Sequence, residues 1–265
     1  MKKLGVYPNA YYNYLKKRRA TRVTVKAKTL KRIDKLYHQT GGKPGYRMMT
    51  QLLRNEGIYL SPQTVHKYMN KELGLRSVTR KKKYVYQKGG EPYRIFPNHL
   101  EQDFTAARRN EKWCIDFTYL FLNNGSKRYN CTIIDLYDRR VVASVCGNRI
   151  NTALAIDAME SALRSCDGET GMILHSDQGS QFTSKEFVSF CDKNGVIQSM
   201  SRPGCPYDNA PMERYFNTLK VELINLHSFD CENDLFAAIT SYAFGWYNNL
   251  RPHSYNQNKP PCKVA

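Results

Sequence analysis

The sequence of 265 residues predicts a mixed α/β domain with helices on both faces of its sheet, preceded by a small all-α domain. Three observations carry that reading. Residues 29–75 show helical periodicity broken by Gly and Pro signals, and residues 112–148 switch to strand alternation between short turns. From residue 151 onward, helical stretches alternate with short apolar runs. Charge divides the chain at the same place. Residues 1–110 hold 26 Lys and Arg against 6 Asp and Glu, whereas residues 111–265 hold 15 against 17. The formal net charge of +18 therefore sits entirely in the first two fifths. A basic front end joined to a near-neutral back end suits a polyanion-binding module attached to an enzyme.

Residues 1–24 read as a basic helical arm, with Tyr11, Tyr12 and Leu15 ahead of Lys16, Lys17, Arg18 and Arg19. Three helices are expected over residues 25–75. Leu30, Ile33, Leu36 and Tyr37 recur at helical spacing before Gly41 and Gly42, and Met49, Leu52 and Leu53 mark a second helix from Tyr46 to Asn55. The third has clear end signals: Ser61 as N-cap, Pro62 at the first helical position and Gly74 beyond the last turn. Val65, Tyr68, Met69 and Leu73 face inward, leaving Gln63, Thr64, His66 and Lys67 outward. A helix-turn-helix with 62–73 as recognition helix fits so basic a segment. The pattern alone does not separate it from a plain three-helix bundle. Residues 76–110 read as a basic linker, in which Lys81, Lys82 and Lys83 beside Tyr84 and Tyr86 can track a phosphate backbone.

In residues 113–120, WCIDFTYL, Trp113, Ile115, Phe117 and Tyr119 fall on one face and Cys114, Asp116 and Thr118 on the other. With strands over 128–138 and 141–148 this predicts a three-stranded meander. Asn151 then caps a helix, and 171–177 reads as a strand buried on both faces. A helix capped by Ser184, a strand over 196–201, a loop over 202–208, a helix carrying Glu213 and a final helix over 231–247 complete a 111–265 domain. The order is compatible with a ribonuclease-H-like sheet.

No apolar run reaches the ~20 residues of a membrane span, and the N-terminus lacks the apolar region of a signal peptide. The eight cysteines form no C-x-x-C pair and no histidine stands at zinc-finger spacing, so reduced thiols and no structural zinc are expected. Three carboxylates occupy positions where a site can form. Asp116 lies mid-strand, Asp177 ends a buried strand, and Glu213 stands in the first turns of a helix, with Lys220 seven residues on along the same face. Three carboxylates suit Mg²⁺ or Mn²⁺, which favour oxygen ligands and bind phosphate oxygens.

WCIDFTYL, HSDQGSQF (175–182) and SRPGCPYDNAPMERYFNTLK (201–220) resemble the three segments of the DDE integrase core. More narrowly, they resemble OrfB-type transposases of bacterial insertion sequences related to retroviral integrases. The closing YNNLRPHSYNQNKPP (247–261) belongs to the same likeness, as do KPGYRMM and LSPQTVHKYM in the first domain. The resemblance implies Asp116, Asp177 and Glu213 as catalytic metal ligands for two ions, and Lys220 as an accessory DNA contact. Asn209 and Arg202 join it as expected contacts. It also implies strand cleavage and transfer at element ends, a homo-oligomer on paired double-stranded ends, an OrfA-type partner and a cytoplasmic, nucleoid-associated location. Cys205 stands where a polar loop residue is expected, and Arg214 where a small one is common. Two other functions stay open at this point: a DNA-binding regulator without catalysis, and a ribonuclease acting on RNA–DNA hybrids.

Overall fold

A computed structural model of the protein describes residues 11, 12, 14, 16, 18–77, 93–166 and 170–264. The chain forms two compact units, Met1–Thr79 and Arg80–Ala265.

The first unit holds α1 (Arg18–Gln39), α2 (Tyr46–Asn55) and α3 (Pro62–Lys67), which runs on as a π-helical turn, Tyr68–Glu72. Ile33, Leu36, Met49, Leu53, Val65 and Met69 form its core. The end signals act as expected. Gly41, Gly42, Gly57 and Gly74 all take positive φ after helix ends, and the Ser61 side chain accepts from the Thr64 N–H at 3.2 Å. Two boundaries differ. The first helix begins at Arg18 rather than near Thr29, because nothing between 18 and 39 is Gly or Pro. The third leaves α geometry at Tyr68 instead of continuing to 73.

The second unit is built on a five-stranded sheet in the order β3-β2-β1-β4-β5. Strands β1 (Lys112–Phe121), β2 (Lys127–Asp135) and β3 (Val141–Gly147) form the antiparallel meander. Strands β4 (Ile173–Ser176) and β5 (Ile197–Met200) add in parallel beside β1. On one face, α4 (Thr152–Leu163) and α5 (Lys185–Lys193) cover Trp113, Ile115, Phe117, Ile133 and Leu174. Asn151 and Ser184 cap these helices by accepting from the Leu154 and Phe187 N–H groups. The other face lies under α6 (Ala210–Leu219) and α7 (Glu232–Thr240), each continued by a π turn, Lys220–Ile224 and Ser241–Tyr247.

The face of β1 that reads as polar is therefore covered. Cys114 and Thr118 are buried because Met212, Tyr215, Phe216 and Leu219 of α6 and its neighbours close over that side. Strand β2 stops at Asp135, three residues early. The Asp135 carboxylate accepts there from the Asn110 and Tyr137 N–H groups, both at 2.8 Å, and Arg139 takes φ +63° in the turn that follows. Residues 93–110 are not a tether. Leu100 is buried, and the Met200 N–H donates to the Pro97 carbonyl at 3.2 Å, which fixes this stretch to the unit.

Candidate active site

Strands β1 and β4 run parallel with Cys114 beside His175. Asp116 and Asp177 each stand two residues further along, so the register places the two aspartates side by side at one end of the pair. Asp116 is half-buried, and its Oδ1 accepts from its own chain at the Phe117 N–H, 2.7 Å. Burial drives its pKa well above the ordinary carboxylate value, the neighbouring Asp177 and Glu213 charges push it further, and Lys220 opposes the shift. Asp177 is raised as well, chiefly by desolvation, although its Oδ1 accepts from the Gly179 N–H at 2.9 Å. A side chain at Gly179 would crowd that carboxylate. A Cβ there would lie 2.9 Å from Asp177 Oδ1 and 2.2 Å from Gln181 Nε2.

Glu213 projects from the first turn of α6 into solvent, on the helix that covers the Asp116 face. Met212, Tyr215, Phe216 and Leu219 bury the opposite stripe of α6 and so fix its rotation. Lys220 begins the π turn at the helix end and is half-buried. The charges of Asp177 and Glu213 thus both act on Asp116. Among the described residues, however, no three Asp, Glu, His or Cys side chains are drawn tightly enough together to hold an ion as they stand. The donor set itself fits a hard divalent cation: it is all oxygen, and a bound cation offsets both the burial and the neighbouring negative charges that raise Asp116.

The loop ahead of α6 is organised around Asp208, which is fully buried. Arg202 donates to it through Nε and Nη2, both at 3.0 Å, and through its backbone N–H, also at 3.0 Å. Gln102 Nε2 at 2.8 Å and Asn98 Nδ2 at 3.2 Å complete the shell. Asn98 and Gln102 were not legible as site-supporting residues, because they sit in a stretch without periodicity. Asn209, expected to hold DNA, is instead buried with both amide atoms unpartnered. Cys205 acts through its backbone, whose carbonyl accepts from the Asp208 N–H at 3.0 Å. Below Asp177, His175 is buried between Ser199 Oγ (2.8 Å from Nδ1) and Ser201 Oγ (3.1 Å from Nε2), and burial lowers its pKa to about 4.

In the first unit, Gln63, His66 and Lys67 are exposed on α3, and the His66 ring stands edge-on to Tyr46 with 5.0 Å between centroids. Thr64 is half-buried, its hydroxyl 2.9 Å from Ser61 Oγ. Lys81, Lys82 and Lys83 lie outside the described residues. No described helix is long and apolar enough to cross a membrane.

Comparison with known proteins matches residues 106–206 and 194–261 to two families, each described as integrase core domain, and residues 25–83 to one described as HTH-like domain. The putative transposase InsK of insertion sequence IS150 from Escherichia coli is 35% identical over 221 residues, covering 83% of this chain and 77% of the relative. The transposase of insertion sequence IS904 from Lactococcus lactis is 34% identical over 232 residues, covering 87% and 90%. Among solved structures, the simian T-cell lymphotropic virus intasome aligns with a TM-score of 0.51 at 16% identity, over 88% of this chain and 73% of that one, a likeness of fold.

Proposed function

Because the chain belongs to the integrase-core transposases of insertion sequences, we propose that Asp116, Asp177 and Glu213 are its catalytic carboxylates and together hold a divalent metal. The protein is a transposase that binds element-end DNA and catalyses strand cleavage and strand transfer. One observation carries the assignment of residues: two aspartates are aligned on adjacent parallel strands, and Glu213 on the covering helix acts on the same carboxylate, Asp116.

Two Mg²⁺ or Mn²⁺ ions, when bound, supply an activated attacking oxygen and a stabilised leaving oxygen for in-line displacement at phosphorus. Asp116, which feels both of the other carboxylates, would hold them together with Asp177 and Glu213. The Gly179 N–H keeps Asp177 Oδ1 oriented. Lys220 presents positive charge beside the carboxylates and suits the phosphate next to the cleaved bond. Arg202, whose side chain is 60% exposed, suits another. No protein nucleophile is needed. Water attacks phosphorus and gives up a proton as the P–O3′ bond breaks and the 3′-oxygen leaves as 3′-OH. That 3′-OH then attacks a second phosphodiester, forming a new P–O bond as the 3′-oxygen of the attacked strand departs with a proton.

On α3, Gln63, Thr64, His66 and Lys67 are proposed to read the element end. A homo-oligomer on paired ends and a separately encoded OrfA-type protein complete the proposed assembly. The test is strand cleavage and joining on element-end duplex with Mg²⁺ or Mn²⁺. Asp116→Asn, Asp177→Asn and Glu213→Gln are each expected to bind DNA yet leave strands uncut. Joining at wild-type rate by any of the three removes that residue from the site.

A further inference from the structure

Helix α1 is longer than the bundle it belongs to. Thr29, Ile33 and Leu36 are buried, whereas residues 20–28 are all exposed except Lys26, which is half-buried. Val23 and Val25 stand 63% and 57% exposed. An isolated helical segment of this length has little stability of its own in water. Its charges make matters worse. No acidic residue lies in its first turn, so the helix dipole there is opposed by a basic sequence. Arg22 and Lys26, Lys28 and Arg32, and Lys31 and Lys35 are like-charged pairs at i, i+4. The helix contains one acid, Asp34, and it faces His38 at 3.3 Å.

Two of these cations are neutralised within the unit. Lys26 Nζ lies 2.7 Å from Glu72 Oε1, and Arg32 pairs with Glu56. Arg22, Lys28, Lys31 and Lys35 make no ion pair among the described residues and remain exposed. Lys28, Lys31 and Lys35, at i, i+3 and i+7, share one face over about 10 Å of helix. Arg22 lies more than a turn before them.

We propose that this exposed basic part of α1 is a second DNA-contact surface, separate from the α3 face, and lies against the phosphate backbone. It rests on the reading of the chain as a DNA-binding transposase. A polyanion is the occupant whose charge offsets both the like-charge repulsion and the adverse dipole. Lysine and arginine contacts of this kind carry affinity and salt dependence but no sequence preference.

The test uses the full chain with two duplexes, one carrying the element end and one of scrambled sequence, over a range of salt. Lys28→Gln/Lys31→Gln/Lys35→Gln is expected to lower the slope of log K against log salt by about 2–3, near 0.9 per lost contact. Both duplexes should weaken alike, at least tenfold in dilute salt. The triple Lys→Arg variant should behave as wild type, which assigns the effect to positive charge, and an unchanged melting temperature of the triple Gln variant shows that it is folded. Gln63→Ala/His66→Ala should instead narrow the preference between duplexes at unchanged slope, so failure of the α3 reading shows separately. An unchanged slope in the folded triple Gln variant overturns the proposal. Loss of self-association in that variant with the slope intact overturns it too, and assigns the face to a second copy of the chain.

Discussion

Asp208 is buried beneath Arg202, whose Nε and Nη2 each lie 3.0 Å from one of its carboxylate oxygens. Arg202 therefore has a structural task beside the DNA contact proposed for it. Its hydrogen bonds are the largest cause holding the Asp208 carboxyl well below the usual carboxylate range. A depressed pKa contributes stability that is complete above the ordinary Asp value and is lost as pH falls through the depressed one. Arg202→Ala should lower the melting temperature and move acid unfolding to higher pH. Adding Asp208→Asn should recover part of the melting temperature, since the unpaired buried charge is gone, but none of the DNA affinity. Thermal scans beside DNA titrations separate the two. Full recovery of both by the double variant would leave Arg202 with no DNA contact.

The proposed catalytic carboxylates predict a different split. Asp116→Asn removes charge from the residue on which the Asp177 and Glu213 charges both act. Strand cleavage should fall by about a thousandfold or more, since metal-assisted displacement supplies several kcal/mol and each 1.36 kcal/mol is tenfold. DNA affinity should stay within roughly threefold, because the proposed phosphate contacts lie on other residues. Thermal stability without metal should rise, as the variant relieves repulsion in a half-buried site. A stabilised, DNA-binding, inactive protein is the expected outcome, and an unchanged melting temperature would contradict the repulsion.

His253 gives a pH dependence of folding. Burial lowers its pKa to about 4, helped by the positive charges of Arg251, Arg139 and Arg214. The unfolded value is near 6.5. The folded state therefore favours the neutral ring, and this group's stability is complete above about pH 6.5 and drains away as pH falls toward 4. The loss is on the order of 1–3 kcal/mol. Calorimetry of wild type and His253→Gln across that window should show the variant losing less. Parallel curves would remove His253 as a cause.

Which of these features were legible beforehand follows from how local their causes are. Ser61, Asn151 and Ser184 cap helices through their own side chains, so their positions mark helix starts directly. Asp116 and Asp177 were legible as residue types at strand positions, but their alignment depends on β4 pairing in parallel with β1, which no local pattern encodes. The cover over Cys114 and Thr118 is not legible locally, because alternation reads Asp116 and Thr118 as a polar face, while α6 supplies the apolar partner from about a hundred residues away. Asn209 was read by its place before Glu213 as a DNA contact, and tertiary packing buries it instead. The fold of residues 93–110 onto the sheet depends on backbone bonds such as Met200 to Pro97, which side-chain patterns do not show.

The residues of the closing YNNLRPH segment act at the end of α6. Glu222, two residues beyond Lys220, is buried and accepts from Tyr242 Oη at 3.0 Å, Trp246 Nε1 at 3.0 Å, and Arg251 Nε and Nη2 at 3.0 and 2.8 Å. Asn248 meanwhile pairs with both backbone groups of Val141, at 2.8 and 2.9 Å, and so joins the same segment to β3. A buried carboxylate with four donors is satisfied as it stands, and removing one partner strands the other charge. Glu222→Ala should therefore destabilise the unit by about 3–5 kcal/mol, and Arg251→Ala similarly. The paired apolar replacement Glu222→Leu/Arg251→Met should cost much less than the sum of the two single changes, since it removes both charges together. Denaturant titration of the four proteins measures the coupling. Additive losses would mean that Glu222 and Arg251 stabilise the end of α6 independently, through the aromatic donors and the chain turn, and not as a pair.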